Sequence, residues 1–98
     1  AIKDLDKAIE LYPEDSDSWN YRGRSKFYLK QYEQAIKDLD KAIELDPKCY
    51  KSWYFSAKAK LVLKDDTNAL IALKKYKALD MTCDVDEEIK TIEENLKQ

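Results

Sequence analysis

The stretch AIKDLDKAIEL at residues 1–11 recurs without a change at residues 35–45, a displacement of 34 residues that also relates Pro13 to Pro47. A period of this length is typical of solenoid proteins, in which each unit is one supersecondary element that stacks on its neighbours. The duplicated block therefore predicts a repeat architecture. With 98 residues the chain has room for one such array, so we expect a single domain over residues 1–98.

The duplicated block has the pattern of an amphipathic helix. In its second copy the apolar side chains fall at helical spacing, at Ala35, Ile36, Leu39, Ala42 and Ile43. A composition with one Gly and two Pro favours helices joined by short connections over strands. We predict six helices, at about residues 1–11, 17–29, 32–45, 50–63, 66–79 and 85–97.

Boundary residues support these limits. Pro47 cannot continue a helix, so the third helix should end near Leu45. Side chains that cap helix N-termini precede the second, fifth and sixth helices: Asp15 or Ser16, Asp65 or Asp66, and Asp84 with Glu87. The last helix is polar on its outer side, as expected of a cap that terminates an array.

Period and residues together resemble the tetratricopeptide repeat family, whose unit reads W-x2-L-G-x2-Y, then A-x3-F, then P. Residues 16–49 carry Trp19, Gly23, Ala35 and Pro47 on this pattern, with Leu39 at the aromatic position and Arg22 and Lys26 in place of Leu and Tyr. Residues 50–83 match less completely, through Trp53, Ala57, Ala69 and Leu73.

The resemblance implies an all-α fold, a right-handed superhelical solenoid of antiparallel helix pairs. It divides the chain into the second helix of a truncated repeat (residues 1–15), two full repeats (16–49 and 50–83) and a C-terminal capping helix (84–98). Gly23 and Ala57 should let paired helices approach closely. Trp19 and Trp53 should be structural residues in the seam between units.

The chain opens in phase with Ala35, in the middle of a unit, which favours a fragment of a longer protein with further repeats upstream. The side of the first helix that would meet a preceding helix is then expected to expose Ile2, Leu5 and Ile9. Self-association through this N-terminal seam is a consequence we expect of such a patch.

Composition limits the chemistry of the chain. A net charge of -2 argues against nucleic acid as a partner, and no apolar stretch is long enough for membrane insertion. Cys49 and Cys83 occupy equivalent connections too far apart for a disulfide, so we expect free thiols and a cytoplasmic or nuclear location. Without His or a catalytic motif, we expect no enzyme, no metal site and no cofactor. Carboxylate pairs such as Asp38 with Asp40 should lie on solvated outer faces.

In the family that the chain resembles, the first helix of each unit lines a concave groove that receives a peptide. Helix phase then predicts the partner-binding residues: Asn20, Tyr21, Arg24, Phe27 and Tyr28 in one unit, and Lys51, Tyr54, Phe55 and Lys58 in the next. Aromatic rings with a few cations suit a peptide that has apolar anchors and carboxylates. The alternative is that these rings only pack against neighbouring helices. Of the clamp that holds chaperone tails in some members, only Lys51 has the expected residue type.

Two functions remain open at this point. The first is a protein-interaction scaffold that binds a partner peptide or segment in the concave groove. The second is a structural or oligomerisation arm of a larger multidomain protein whose activity lies outside this segment. An enzymatic function would require a second domain in that larger protein.

Overall fold

The computed structural model describes residues 2–79 and 85–97, and all regular secondary structure in these two ranges is helical. The six helices are α1 (Ile2–Leu11), α2 (Ser16–Tyr28), α3 (Tyr32–Leu45), α4 (Tyr50–Val62), α5 (Asp66–Leu79) and α6 (Asp86–Leu96). Every bound lies within one residue of its predicted position. The prediction of an all-α helical solenoid is confirmed.

Helices pack mainly against their neighbours along the chain. The packed pairs are α1 with α2, α2 with α3, α3 with α4, α4 with α5 and α5 with α6, and α2 also meets α4. The resulting body is elongated, measuring 45 × 26 × 18 Å. Each internal helix therefore contacts both the helix before it and the helix after it, as expected of a stacked array. In the described ranges no helix combines the length and hydrophobicity that crossing a membrane requires.

The predicted caps and stops have structural counterparts. Asp15 caps α2, since its carboxylate accepts hydrogen bonds from the Asp17 N–H and the Ser18 hydroxyl. Asp65 accepts a hydrogen bond from the Asn68 N–H at the start of α5. Asp84, which was predicted to form a capping box with Glu87, lies outside the described residues. Cys83 also lies outside them. Cys49 is a half-buried free thiol.

Close packing holds the helix pairs together. In the first pair Gly23 faces Leu39, which is completely buried, and Ala35. In the second pair Ala57 and Leu73 belong to a core cluster that continues through Val85, Ile89 and Ile92 onto α6. Small residues on α2 and α4 thus set the distance to the facing helix, as the sequence predicted.

Both tryptophans have structural contacts. The Trp19 indole N–H donates to the Pro13 carbonyl at 2.8 Å, and the Trp53 indole N–H donates to the Pro47 carbonyl at 2.9 Å. Trp53 also packs against the core cluster. Each indole therefore ties its helix to the turn that precedes it, in the same way in both units.

Two expectations from the sequence were wrong. Asp38 does not lie on a solvated face but is only 3% exposed, because Arg22 and Lys26 of α2 supply cations directly opposite it. The predicted exposed patch on α1 is also reduced: Ile9 is buried and Ile2 and Leu5 are half-buried. The reason is that α1 packs against α2, which covers much of its apolar stripe.

Candidate functional site

Aromatic rings form a continuous row across α2 and α4. Phe27 lies 5.5 Å from Phe55 between ring centroids, and Tyr28 lies 6.0 Å from Phe55, in edge-to-face arrangements. The row continues from Phe55 to Tyr54 at 5.5 Å and from Tyr54 to Tyr76 of α5 at 4.9 Å. Each such pair contributes about 0.5–1.5 kcal/mol of stabilisation beyond that from its buried area, so the ring contacts stabilise the arrangement of the row.

Arg24 stands on this row with an incomplete set of partners. Its guanidinium lies 4.9 Å from the ring of Phe55 and 5.6 Å from the ring of Tyr21. The Nε atom of Arg24 is buried and has no hydrogen-bond partner among the described residues. Because rings occupy positions over the guanidinium, hydrogen bonds to it must come from an acceptor at its N–H edge.

Lys58 on α4 is already paired. Its ammonium donates to a carboxylate oxygen of Glu88 on α6 at 3.1 Å and lies 5.3 Å from the ring centroid of Tyr54. Burial acts to lower the pKa of Lys58, but Glu88 and Tyr54 outweigh it and the pKa is raised above its ordinary value of 10.5. Lys58 is therefore a fixed cation whose charge the last helix balances.

The two further cations of α2 face away from the aromatic row. Arg22 binds Asp38 through two hydrogen bonds of 2.8 Å, and a third of 2.8 Å reaches Asp6 on α1. Lys26 lies 3.0 Å from Asp38. The bonds to Asp38 and Asp6 outweigh desolvation and raise the pKa of Arg22. These cations are engaged within the fold, which leaves Arg24 as the cation of α2 available to a ligand.

We call the surface formed by the side chains of α2 and α4 on this side the α2/α4 face; it comprises Tyr21, Arg24, Phe27, Tyr28, Tyr54, Phe55 and Lys58. All seven were predicted from the sequence. Tyr28 is 68% exposed and Tyr21 is also exposed, whereas the other five are half-buried. The face therefore combines a packed aromatic base with exposed tyrosines at its α2 end.

Asn20 and Lys51 differ from these seven. Asn20 is only 5% exposed, and its Oδ1 accepts a hydrogen bond of 3.0 Å from the buried Ser52 hydroxyl, so it joins α2 to α4 beneath the surface. Lys51 is exposed and has no ion pair with any described residue.

Sequence reasoning missed four residues around the face. Tyr32 packs on Phe27, Tyr76 packs on Tyr54 and Tyr50, and Glu88 pairs with Lys58. These residues are Tyr32, Tyr50, Tyr76 and Glu88. Tyr32 and Tyr76 come from the second helix of a unit and Glu88 from the cap, whereas the prediction considered only first helices. Tyr50 is the first residue of α4, a first helix, and helix phase did not select it. In the sequence, the aromatic residues near the helix ends were the signal that could have identified the three missed tyrosines.

Two family models match parts of the chain. Residues 16–49 match the family model described as tetratricopeptide repeat. Residues 1–24 match a second family model, described as protein prenyltransferase alpha subunit repeat. No curated protein sequence is significantly similar to the chain.

Solved structures resemble the whole array. The first TPR of Spaghetti (RPAP3), bound to the HSP90 peptide SRMEEVD, has a TM-score of 0.91 at 19% identity, covering 99% of this chain and 78% of that one. The TPR2B domain of yeast Sti1, in a complex with pHsp70, has a TM-score of 0.81 at 27% identity, covering 94% and 76%. YrrB, described as having an unusual peptide-binding site, has a TM-score of 0.84 at 24% identity, covering 100% and 51%.

Proposed function

The chain is a tetratricopeptide-repeat protein, and on that premise we propose that its α2/α4 face binds a segment of a partner protein that carries an apolar anchor beside a carboxylate. The face lies on α2 and α4, the first helices of the two units, which are the helices expected to line a peptide groove in this family. Two similar structures are complexes with an HSP90 peptide and with pHsp70, so peptide recognition is an established use of this architecture. The chain would then be an interaction scaffold.

The observation that carries the proposal is the state of Arg24. Its guanidinium lies close to two aromatic rings, and its buried Nε has no hydrogen-bond partner in the described part of the chain. A buried donor without a partner costs about 1–3 kcal/mol, so a shift of the guanidinium that lets a ligand carboxylate accept from Nε would remove this cost. Arg pairs with carboxylates through two parallel hydrogen bonds, which explains a preference for an acidic residue.

We assign the contact for the partner's apolar anchor to the exposed tyrosines next to Arg24. Tyr28 presents most of its surface to solvent and is backed by Phe27 and Phe55, whose packing keeps the ring in place. A rigid aromatic side chain loses little entropy on binding, and Tyr is enriched where interface energy concentrates. A partner side chain placed against Tyr28 would thus stand within the same surface as the carboxylate at Arg24.

The face is suited to binding rather than to catalysis. Its charged groups are the cations Arg24 and Lys58, and the raised pKa of Lys58 makes that ammonium a poor proton acceptor near neutral pH. The alternative of an oligomerisation arm has less support, because Ile9, a central residue of the expected contact, is buried within the chain.

Selection from a random-peptide display library tests the proposal. The wild-type chain should enrich peptides that carry Asp or Glu beside an aromatic or aliphatic residue. Arg24→Glu should weaken binding of the selected peptides about tenfold or more, since a charge-assisted hydrogen bond contributes about 1.5–3 kcal/mol. Lys37→Glu makes the same charge change at an exposed position of α3 outside the face and should bind as the wild type does.

Two results would contradict this assignment. One is that Arg24→Glu and the wild type, both folded by circular dichroism, bind the selected peptides equally. The other is that Lys37→Glu loses as much binding as Arg24→Glu, which would show a response to net charge instead of to this face.

A further inference from the structure

Helices α1 and α3 contain the same duplicated block but have different surroundings. On α3, Leu39 and Ala42 are fully buried, with exposures of 0% and 1%. Their counterparts on α1, displaced by 34 residues, are Leu5 and Ala8, and both are only half-buried. Because the side chains are the same, the structure around α3 shows how this sequence is covered when all its neighbours are present.

The aspartates of the block follow one rule. On α3, Asp38 pairs with Arg22 of the preceding helix α2, while Asp40 accepts a hydrogen bond from Ser56 of the following helix α4. On α1, Asp6 is the counterpart of Asp40, and it likewise reaches the following helix through its bond to Arg22. The first aspartate of the block thus faces a preceding helix and the second faces a following one.

Asp4 is the fourth aspartate of the two copies of the block, and it lacks a partner on a preceding helix. It is the counterpart of Asp38, yet it is exposed, and it has no ion pair or side-chain hydrogen bond with any residue in 2–79 or 85–97. An identical sequence on α3 buries this position against two cations. The surface of α1 around Asp4, Leu5 and Ala8, which we call the α1 outer face, is therefore a contact surface that the described residues leave open.

We propose that the α1 outer face binds a partner helix of the α2 type: an amphipathic helix that bears Arg and Lys four residues apart, with Gly directly after the Arg. In α2 these residues are Arg22, Gly23 and Lys26. The two cations neutralise the buried aspartate, and the Gly leaves room for the Leu of the block, which touches Gly23 in the α2–α3 pair. A helix that packs on the α1 outer face must likewise place cations opposite Asp4 and a Gly opposite Leu5.

Charge argues for a basic helix and against a second copy of this chain. A symmetric dimer through the α1 outer face would bring the Asp4 carboxylates of both copies into the same apolar contact, which is unfavourable. The cations of α2 that could neutralise Asp4 are already paired with Asp38 and Asp6. A second copy therefore offers no free α2-type surface. This proposal is independent of peptide binding at the α2/α4 face.

A fusion protein tests the proposal. A copy of residues 16–34 placed directly ahead of residue 1 recreates the sequence of residues 16–45, because residues 1–11 equal residues 35–45. We expect the fusion to show more helix by circular dichroism and a thermal midpoint several degrees higher than that of the 98-residue chain. We expect Asp4→Ala to leave the midpoint of the parent chain unchanged and to lower that of the fusion by several degrees.

The matched control is a fusion whose added segment carries Glu in place of the counterparts of Arg22 and Lys26. It should gain little stability, since it opposes a carboxylate with two others. The proposal is overturned if the added segment leaves the midpoint unchanged, if both fusions are stabilised equally, or if Asp4→Ala has the same effect in parent and fusion. A parent chain that sediments as a dimer and becomes monomeric on Leu5→Lys would also overturn it.

Discussion

A methyl group added to the Cα of Gly23 would lie 2.7 Å from Cγ of Leu39 and 3.2 Å from the carbonyl oxygen of Ala35. Leu39 is fully buried and cannot swing aside, so Gly23→Ala must push α2 away from α3. We expect a loss of about 1–3 kcal/mol in the free energy of unfolding, measured by urea denaturation. Helix propensity alone predicts the opposite sign, a gain of about 1 kcal/mol.

The second unit provides the control for this substitution. Ala57 occupies the place of Gly23 and is completely buried in a pair that has adapted to its methyl group. Ala57→Gly should therefore cost about 1 kcal/mol, from helix propensity and lost packing together. An increase in stability for Gly23→Ala would show that the two helices can separate without loss.

Asp38 is the second position where a single change should be costly. Asp38→Ala leaves Arg22 and Lys26 half-buried without the carboxylate that they share. Removing one partner of a buried ion pair costs about 3–5 kcal/mol, and we expect the lower end of this range because Arg22 keeps its bond to Asp6. Thermal and urea unfolding followed by circular dichroism measure the loss.

The second unit also shows how to restore stability. At the positions of Arg22 and Asp38 it has Ser56 and Ala72, and both Ser56 and Lys60 bond to Asp40. The double substitution Arg22→Ser with Asp38→Ala reproduces this arrangement around Asp6. It should recover most of the stability lost by Asp38→Ala, and a double variant no better than the single one would rule out this explanation.

The helix limits were predictable from the sequence because they depend on local signals. Asp15 and Pro47 act on neighbouring residues only, and an apolar stripe is visible in any helix of this length. The burial of Asp38 depends instead on which side chains the preceding helix presents. A helical wheel places Asp38 at the edge of the stripe that contains Leu39, next to Ala35 and Ala42, and a helix in a stacked array is covered on two sides. Arg22 and Lys26, standing where Leu and Tyr are usual, were the signal that a buried carboxylate should face them.

The geometry of the candidate site was predictable in part for the same reason. Helix phase identified Arg24 and Phe55, because both project from the first helix of a unit. It also selected Asn20, which the structure buries against Ser52, since a phase argument does not show how closely α2 and α4 approach. The pairing of Lys58 with Glu88 requires the position of α6, for which the sequence offered no repeat to compare.

The ion pair of Lys58 with Glu88 gives a pH dependence with a defined sign. The pKa of Lys58 is raised above 10.5 in the folded chain, so its contribution to stability is complete below pH 10.5 and is lost as the pH rises through the folded value. Because both groups are partly exposed, we expect Glu88→Gln to cost only about 0.5–1 kcal/mol at pH 8. The difference between the variant and the wild type should vanish at higher pH.

Urea denaturation at a series of alkaline pH values measures this difference, and comparing two proteins at each pH cancels the tyrosine ionisation that they share. Glu87→Gln removes an exposed carboxylate from the same turn of α6 and serves as the control. A difference between Glu88→Gln and the wild type that stayed constant across the titration would show that Lys58 does not carry the effect.

Lys30 and Lys64 are equivalent residues of the two units and share an uncommon backbone conformation, with φ of 64° and 62°. Each follows a helix end at which the next N–H reaches back to a carbonyl five residues earlier, from Gln31 to Lys26 and from Asp65 to Lys60. A side chain in this left-handed region costs roughly 1–2 kcal/mol, which Gly avoids. We expect Lys30→Gly and Lys64→Gly each to raise the free energy of unfolding by about 0.5–1 kcal/mol.

The two gains should add in the double variant, since the turns lie in different units and share no partner. Lys30→Ala and Lys64→Ala are the matched controls: they remove the same charge but keep a Cβ, so they should give no gain. Equal stabilisation by Ala and Gly, in thermal unfolding at matched ionic strength, would assign the effect to charge removal and not to the backbone conformation that the two turns share.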